Sequence, residues 1–154
     1  MKTIWSIEID SPRDRVWRAL TTPGEIQRFY FDSRFDADLR AGGRVAYTTP
    51  DGTRTFIRGD VLEVVPNTRF VHTFRFTDLD EPAQRVSFEL EDADGGTRVT
   101  IRHEDLDVAP KHRKRVTPGW SRILGNLKHW LEHGSLPTSS RIQLLLMKAL
   151  LPFP

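Results

Sequence analysis

Apolar and polar positions alternate from residue 3 to residue 9, with Trp5, Ile7 and Ile9 on one side and Ser6 and Glu8 on the other. That two-residue period predicts a half-buried strand. Ser11-Pro12-Arg13-Asp14 and Thr22-Pro23-Gly24-Glu25 then repeat one arrangement: a capping hydroxyl, a proline at the first helical position and a carboxylate three residues after the cap. Each predicts a short helix. The first turns Val16, Trp17 and Leu20 toward a core, and the second turns Ile26, Phe29 and Tyr30. A DNA-reading helix pair would need basic and small polar side chains on the second helix, which carries only Arg28.

From residue 33 to residue 104, strand patterns and turn signals take turns. Gly42-Gly43 opens a strand through Val45 and Tyr47, and Asp51-Gly52 reads as a two-residue hairpin turn with positive φ at both positions. Thr53–Val65 reads as a long strand in which Gly59 marks a bulge. Pro66-Asn67 turns the chain into Arg69–Phe76, which sets Phe70, His72, Phe74 and Phe76 on one face. Val86, Phe88 and Leu90 continue the alternation, and after Gly95-Gly96 so do Val99 and Ile101. Short connections throughout predict an antiparallel meander.

Thr117-Pro118 signals a helix over 118–133, with Trp120, Ile123, Leu124, Leu127 and Leu131 in one stripe and Gly134 as its stop. A single amphipathic helix of about four turns buries such a stripe by lying across the concave face of a bent sheet. The predicted class is therefore α+β: a curved antiparallel sheet of six or seven strands around a long C-terminal helix, with two short helices after the first strand. Residues 1–134 read as one domain and 135–154 as an apolar helical extension. In that extension Thr138 or Ser139 caps a helix through Leu150, with Ile142, Leu145, Leu146 and Ala149 on one stripe and Leu144, Met147 and Leu151 nearly filling the rest. A helix this apolar needs a covering surface, which its own domain, a second copy or a membrane surface can supply. The expected arrangement is a homodimer through residues 139–151.

Composition narrows the partners. Twenty-three basic against 21 acidic residues give no global pull toward nucleic acid. The dense basic run Lys111-His112-Arg113-Lys114-Arg115 follows closely on Glu104, Asp105 and Asp107 and is too short to hold a duplex. There is no cysteine, which excludes disulfides and cysteine-ligated zinc and fits a cytoplasmic location. No signal-peptide run opens the chain, and the most apolar stretch, Ile142 to Leu151, is about half the length needed to span a bilayer.

Three segments stand out together: Val16-Trp17-Arg18-Ala19-Leu20-Thr21-Thr22-Pro23, Gly59-Asp60-Val61-Leu62-Glu63-Val64-Val65-Pro66 and Phe70-Val71-His72-Thr73-Phe74. With Gly96-Thr97-Arg98-Val99-Thr100, Gly119-Trp120 to Lys128 and Leu131-Glu132-His133-Gly134, they resemble the bacterial activator-of-heat-shock-chaperone-ATPase (Hsp90 ATPase) homologue family within the START-like (SRPBCC) helix-grip superfamily. The likeness covers roughly residues 1–134, so it explains nothing about 135–154. It implies the helix-grip fold and a space between helix and sheet. The superfamily includes carriers, receptors, cyclases and hydrolases, so the fold alone leaves the activity open.

Candidate chemistry falls into three groups. Trp17, Phe29, Tyr47, Phe70, His72, Phe74, Phe76, Trp120 and Leu124 form either a packed core or the lining of an apolar cavity for a small hydrophobic ligand. His72 and His103 are the candidate acid/base groups should a reaction occur, although no sequence-adjacent nucleophile accompanies either and no residue set compels an enzyme assignment. His129-Trp130-Leu131-Glu132-His133 matches a zinc-peptidase pattern, but it sits in the last turn of the predicted final helix with no third ligand, where the helix dipole favours histidine anyway. No metal and no cofactor is expected. Three functions follow: a carrier or sensor of a hydrophobic small molecule, a cyclase- or hydrolase-type enzyme using a cavity histidine, and a co-chaperone-like protein-interaction module.

Overall fold

The computed structural model describes residues 2–104 and 110–150. β1 (Lys2–Ile9) leads into α1 (Arg13–Thr21) and α2 (Pro23–Phe29). Six strands follow: β2 (Arg34–Ala37), β3 (Arg44–Thr48), β4 (Thr55–Val65), β5 (Arg69–Phe76), β6 (Gln84–Ala93) and β7 (Gly96–Glu104). The chain then forms α3 (Pro110–His133) and α4 (Thr138–Leu150). All seven strands join one sheet in the order β1-β7-β6-β5-β4-β3-β2, and every neighbouring pair is antiparallel. The architecture is the curved antiparallel sheet around a long helix predicted by the hydrophobic pattern, and the helix-grip fold implied by the resemblance, with seven strands among the described residues.

α3 crosses the concave face and buries Val116, Trp120, Ile123, Leu124 and Leu127, while Leu131 is half-buried. Polar contacts fix its far end to β1. Lys128 Nζ donates to the Glu8 carbonyl at 2.7 Å and to Glu132 Oε2 at 2.8 Å, and the same Glu132 oxygen accepts the Asp10 amide at 2.8 Å. Those donors, the amide first, hold the Glu132 carboxyl below the ordinary carboxylate range. Gly134, at φ +73°, ends the helix with its amide on the Trp130 carbonyl.

Four local expectations are corrected. α3 starts at Pro110 and keeps Pro118 inside it, so the 118–133 helix is longer than the sequence signal suggested. Both prolines carry the same start signal, and the earlier one marks the true start. The basic run 111–115 thus lies in the first turns of α3, and its side chains are outside the described residues. The Asp51-Gly52 hairpin is wider than two residues: only Gly52 has positive φ, its amide returns to Thr49 O, and the Thr49 amide bonds Arg54 O. Asp51 Oδ1 accepts from Thr49 Oγ1 and from the Thr53 amide and hydroxyl, so local side-chain bonding replaces the mirror-image turn. The β4–β5 register shift lies between Val61 and Glu63, not at Gly59. Gly59 serves close approach instead, because a Cβ there would lie 1.8 Å from the Thr73 carbonyl oxygen. Finally, α1 begins one residue later than its signal, with Pro12 as N-cap.

Candidate functional site

The interior between sheet and α3 divides into a filled end and a hollow end. At the filled end Tyr30 stacks on Tyr47 with ring centroids 4.6 Å apart, Phe35 lies 5.2 Å from Tyr47, and Phe70 lies 5.1 Å from the His72 ring and 6.0 Å from Phe88. His72 is fully buried here. Its Nδ1 donates to the Thr73 carbonyl at 2.6 Å, and its Nε2 finds no partner. Burial in this aromatic cage lowers its pKa to about 4, against a smaller opposing effect of the Thr73 bond, so the ring is neutral at pH 7. Burial likewise raises the hydroxyls of Tyr30 and Tyr47, so both remain protonated.

Trp120 forms the partition. Its indole N–H donates to His103 Nδ1 at 2.9 Å, its ring meets Phe88 edge-on at 5.7 Å, and Phe74 lies 5.8 Å away. The bond from Trp120 places the His103 proton on Nε2, which faces Gln84 Oε1 at 3.5 Å. The basic nitrogen of His103 is thus already occupied by a structural hydrogen bond.

Beyond Trp120 the interior is empty. A cavity of about 330 Å³ opens between the N-terminal half of α3, the β3–β4 hairpin and the turn after α2. Its wall is made by Tyr30, Phe31, Thr49, Pro50, Phe56, Ile57, Phe74, Phe76, Val116, Gly119, Trp120, Ile123 and Met147. Among these described residues none carries a formal charge, and Thr49 Oγ1 is engaged with Asp51 Oδ1 at 2.6 Å and the Arg54 amide at 3.2 Å.

Of the residues nominated from sequence, Phe74, Phe76 and Trp120 stand on this wall. Trp17, Phe29, Tyr47, Phe70, His72 and Leu124 are buried in the core cluster or its aromatic cage, and His103 stands behind Trp120. The wall residues that were not nominated have identifiable causes. Phe56 and Ile57 are adjacent in sequence yet both reach the cavity, because the β3–β4 register shifts between Tyr47 and Thr48 and leaves Phe56 as the extra residue. Strict alternation hides such a residue. Phe31 reaches the wall from a turn in which it and Asp32 both have left-handed backbone, φ +51° and +58°. Met147 comes from α4, which folds back onto its own domain.

That return is held by polar groups. Ser140 is buried and donates to Asn126 Oδ1 at 2.6 Å, and Asn126 Nδ2 donates to the Phe29 carbonyl at 3.3 Å. Arg122 reaches the Ser139 and Ser140 hydroxyls, both at 3.3 Å, and Lys148 lies 3.6 Å from Asp32. The stripe expected at an interface between copies faces away from its own domain: Ile142, Leu145 and Leu146 are 53%, 67% and 54% exposed. Near the hinge, His129 Nδ1 donates to the Ser135 carbonyl at 2.6 Å, and among the described residues no cluster of three or more metal-ligating side chains forms. No described helix is long and apolar enough to cross a membrane.

Comparison with known proteins agrees with this geometry. CalU16 from Micromonospora echinospora matches with a TM-score of 0.72 at 24% identity, over 99% of this chain and 89% of its own. The Aha1 dimer of Colwellia psychrerythraea, solved in solution, matches with a TM-score of 0.70 at 18% identity, over 87% and 98%. An HSP90 activator from Plasmodium falciparum matches with a TM-score of 0.71 at 21% identity, over 89% and 98%. These likenesses establish a shared fold. Among curated proteins, none matches the sequence. The family model for "Activator of Hsp90 ATPase homolog 1-like protein" matches residues 10–132, and the chain belongs to that family.

Proposed function

We propose that the chain is a carrier or sensor that holds a neutral small molecule, largely aromatic or aliphatic, in the cavity beside Trp120. The observation that carries this reading is the wall itself: apolar throughout its described residues apart from Tyr30 and an engaged Thr49, and at about 330 Å³ within the size range of small-molecule sites. Against these described wall residues a charged ligand group would lose its hydration without gaining an oppositely charged partner. A cyclase or hydrolase needs at least two convergent titratable groups. Tyr30 is the titratable side chain on the described wall and stays protonated, which favours binding over catalysis. Titration with Nile red and with neutral polycyclic aromatics should give dissociation constants near micromolar, about −8 kcal/mol. Carboxylated analogues of the same ring system should bind at least about tenfold more weakly. Equal affinity for neutral and anionic forms would overturn the reading.

One observation favours a protein-facing role as well. The outward stripe Ile142, Leu145 and Leu146 is uncovered in the single chain, and the Colwellia relative is described as a dimer. We infer a homodimer through residues 139–151, in which the outward face of α4 meets a second copy while its inward face, with Met147, stays on the cavity. Light scattering should report a dimer for the full chain and a folded monomer after removal of residues 136–154. A full-length monomer at high micromolar concentration would sink this second reading.

A further inference from the structure

We propose that α4 is a hinged lid over the cavity, anchored at its N-terminal end and released at its Lys148 end, and that ligand enters when that tip swings off the turn at Phe31 and Asp32. The proposal rests on the cavity being a ligand site, and it adds how the site is reached.

The two ends of α4 are held very differently. Near the hinge, Ser140 is 1% exposed and locked to Asn126, which is itself buried and bonded to the Phe29 carbonyl. Moving this end would strip buried polar groups of their partners, which is costly. At the tip, the polar contact among described residues is the Lys148–Asp32 pair at 3.6 Å, with the Lys148 side chain 61% exposed. Exposed pairs of that kind are weak and salt-sensitive. Met147 is the neighbouring wall residue, so loosening the tip removes one side of the cavity without disturbing the anchored end.

The remaining features fit a moving part. The chain between helices, residues 134–137, contains Gly134 at φ +73° and Pro137, and the Ser139–Ser140 anchor to α3 lies just beyond it, so the tip pivots about that anchor. α4 has 13 residues, a length at which an isolated helix is marginal, so its order depends on what it touches. The receiving turn carries strain: Phe31 and Asp32 are consecutive non-glycine residues with positive φ, and Gln27 Nε2 steadies Asp32 at 3.0 Å. α4 lies outside the residues matched by the family model, 10–132, and supplies one wall residue, Met147, to a cavity otherwise lined by residues within that span.

A lid changes rates and a fixed wall does not. In stopped-flow mixing with Nile red, Lys148→Ala and Asp32→Asn should each raise association and dissociation rate constants together, about two- to five-fold as expected for loss of an exposed ion pair, with Kd nearly constant. High salt should accelerate the wild type in the same way and leave Lys148→Ala unchanged. Rates insensitive to both substitutions, or a change confined to dissociation, would overturn the lid. Because the chain has no cysteine, a ligand-free measurement is also direct. Spin labels on Leu145→Cys and Leu62→Cys, with labelled chains diluted in excess unlabelled wild type so that only distances within one chain are read, should report two distance populations, with the longer one enriched by Lys148→Ala. A single distribution that Lys148→Ala leaves unmoved would refute the lid even if Nile red binds. Failure of every chain to bind Nile red would instead reject the ligand reading, while the label distances still decide the lid.

Discussion

The two ends of the interior are built from the same kinds of residue and behave differently. Around Tyr47, Phe70, His72 and Phe88, rings stack and tilt against each other with centroids 4.6 to 6.1 Å apart. Around Phe31, Phe56, Phe76 and Met147, aromatic and aliphatic groups stand apart around about 330 Å³ of space. Aromatic content therefore does not distinguish core from cavity. Strand register does not separate them either, since one shift lies between Tyr47 and Thr48 and another between Val61 and Glu63, opposite His72; what the hollow end adds is a left-handed turn and a proline-containing stretch of α3.

The largest expected effect belongs to the filled end. Leu127 is fully buried, so Leu127→Ala should cost about 2–5 kcal/mol in denaturant melts. A loss below about half a kilocalorie would mean that α3 is not packed as described. Acid sharpens the same contrast. His72 has a folded pKa of about 4 and an ordinary unfolded value, so the unfolded chain binds more protons between those values. Stability is therefore fully present above about pH 6.5 and falls as pH drops toward about 4, by on the order of 3 kcal/mol in total. Urea midpoints measured from pH 7 to pH 4 should show this slope, and His72→Gln should flatten it. At the partition, Trp120→Phe removes the indole donor and leaves His103 Nδ1 buried without it, a loss of about 1–3 kcal/mol by thermal melting. Smallest is the hollow end: Met147→Ala trims a half-buried side chain beside existing space and should cost under about 1 kcal/mol. If Met147→Ala matched Leu127→Ala, the two ends would not differ as described.

Much of this fold was legible in the sequence because period and punctuation agreed. The alternation in Phe70–Phe76, the α3 stripe and the stop at Gly134 each specify one face or one boundary. What was not legible depended on tertiary context. Alternation placed Tyr47, Phe70 and His72 on the inward face correctly, yet nothing in the period says whether an inward ring meets a partner or empty space. Phe56 is visible at the cavity only through a register shift that pairing creates. Pro118 misleads because a proline that opens one helix is chemically the same as one tolerated inside another. The α4 stripe is expected from sequence at an interface between copies, and its outward direction agrees with that; the inward side is set by Ser140 and Asn126, polar and inconspicuous in sequence.

The central claim is that the space beside Trp120 is a ligand site and not a packing defect. Gly119 stands on its wall, and a Cβ there would meet no atom within 4 Å, so Gly119→Trp fills space while replacing a mid-helix glycine with a better helix former. Equilibrium titration of a neutral aromatic ligand against wild type and Gly119→Trp is the most direct measurement. Near-micromolar binding by the wild type, lost in a variant whose melting temperature is unchanged or higher, is the expected result. Undiminished binding by a folded Gly119→Trp, or no binding by the wild type, would contradict the claim.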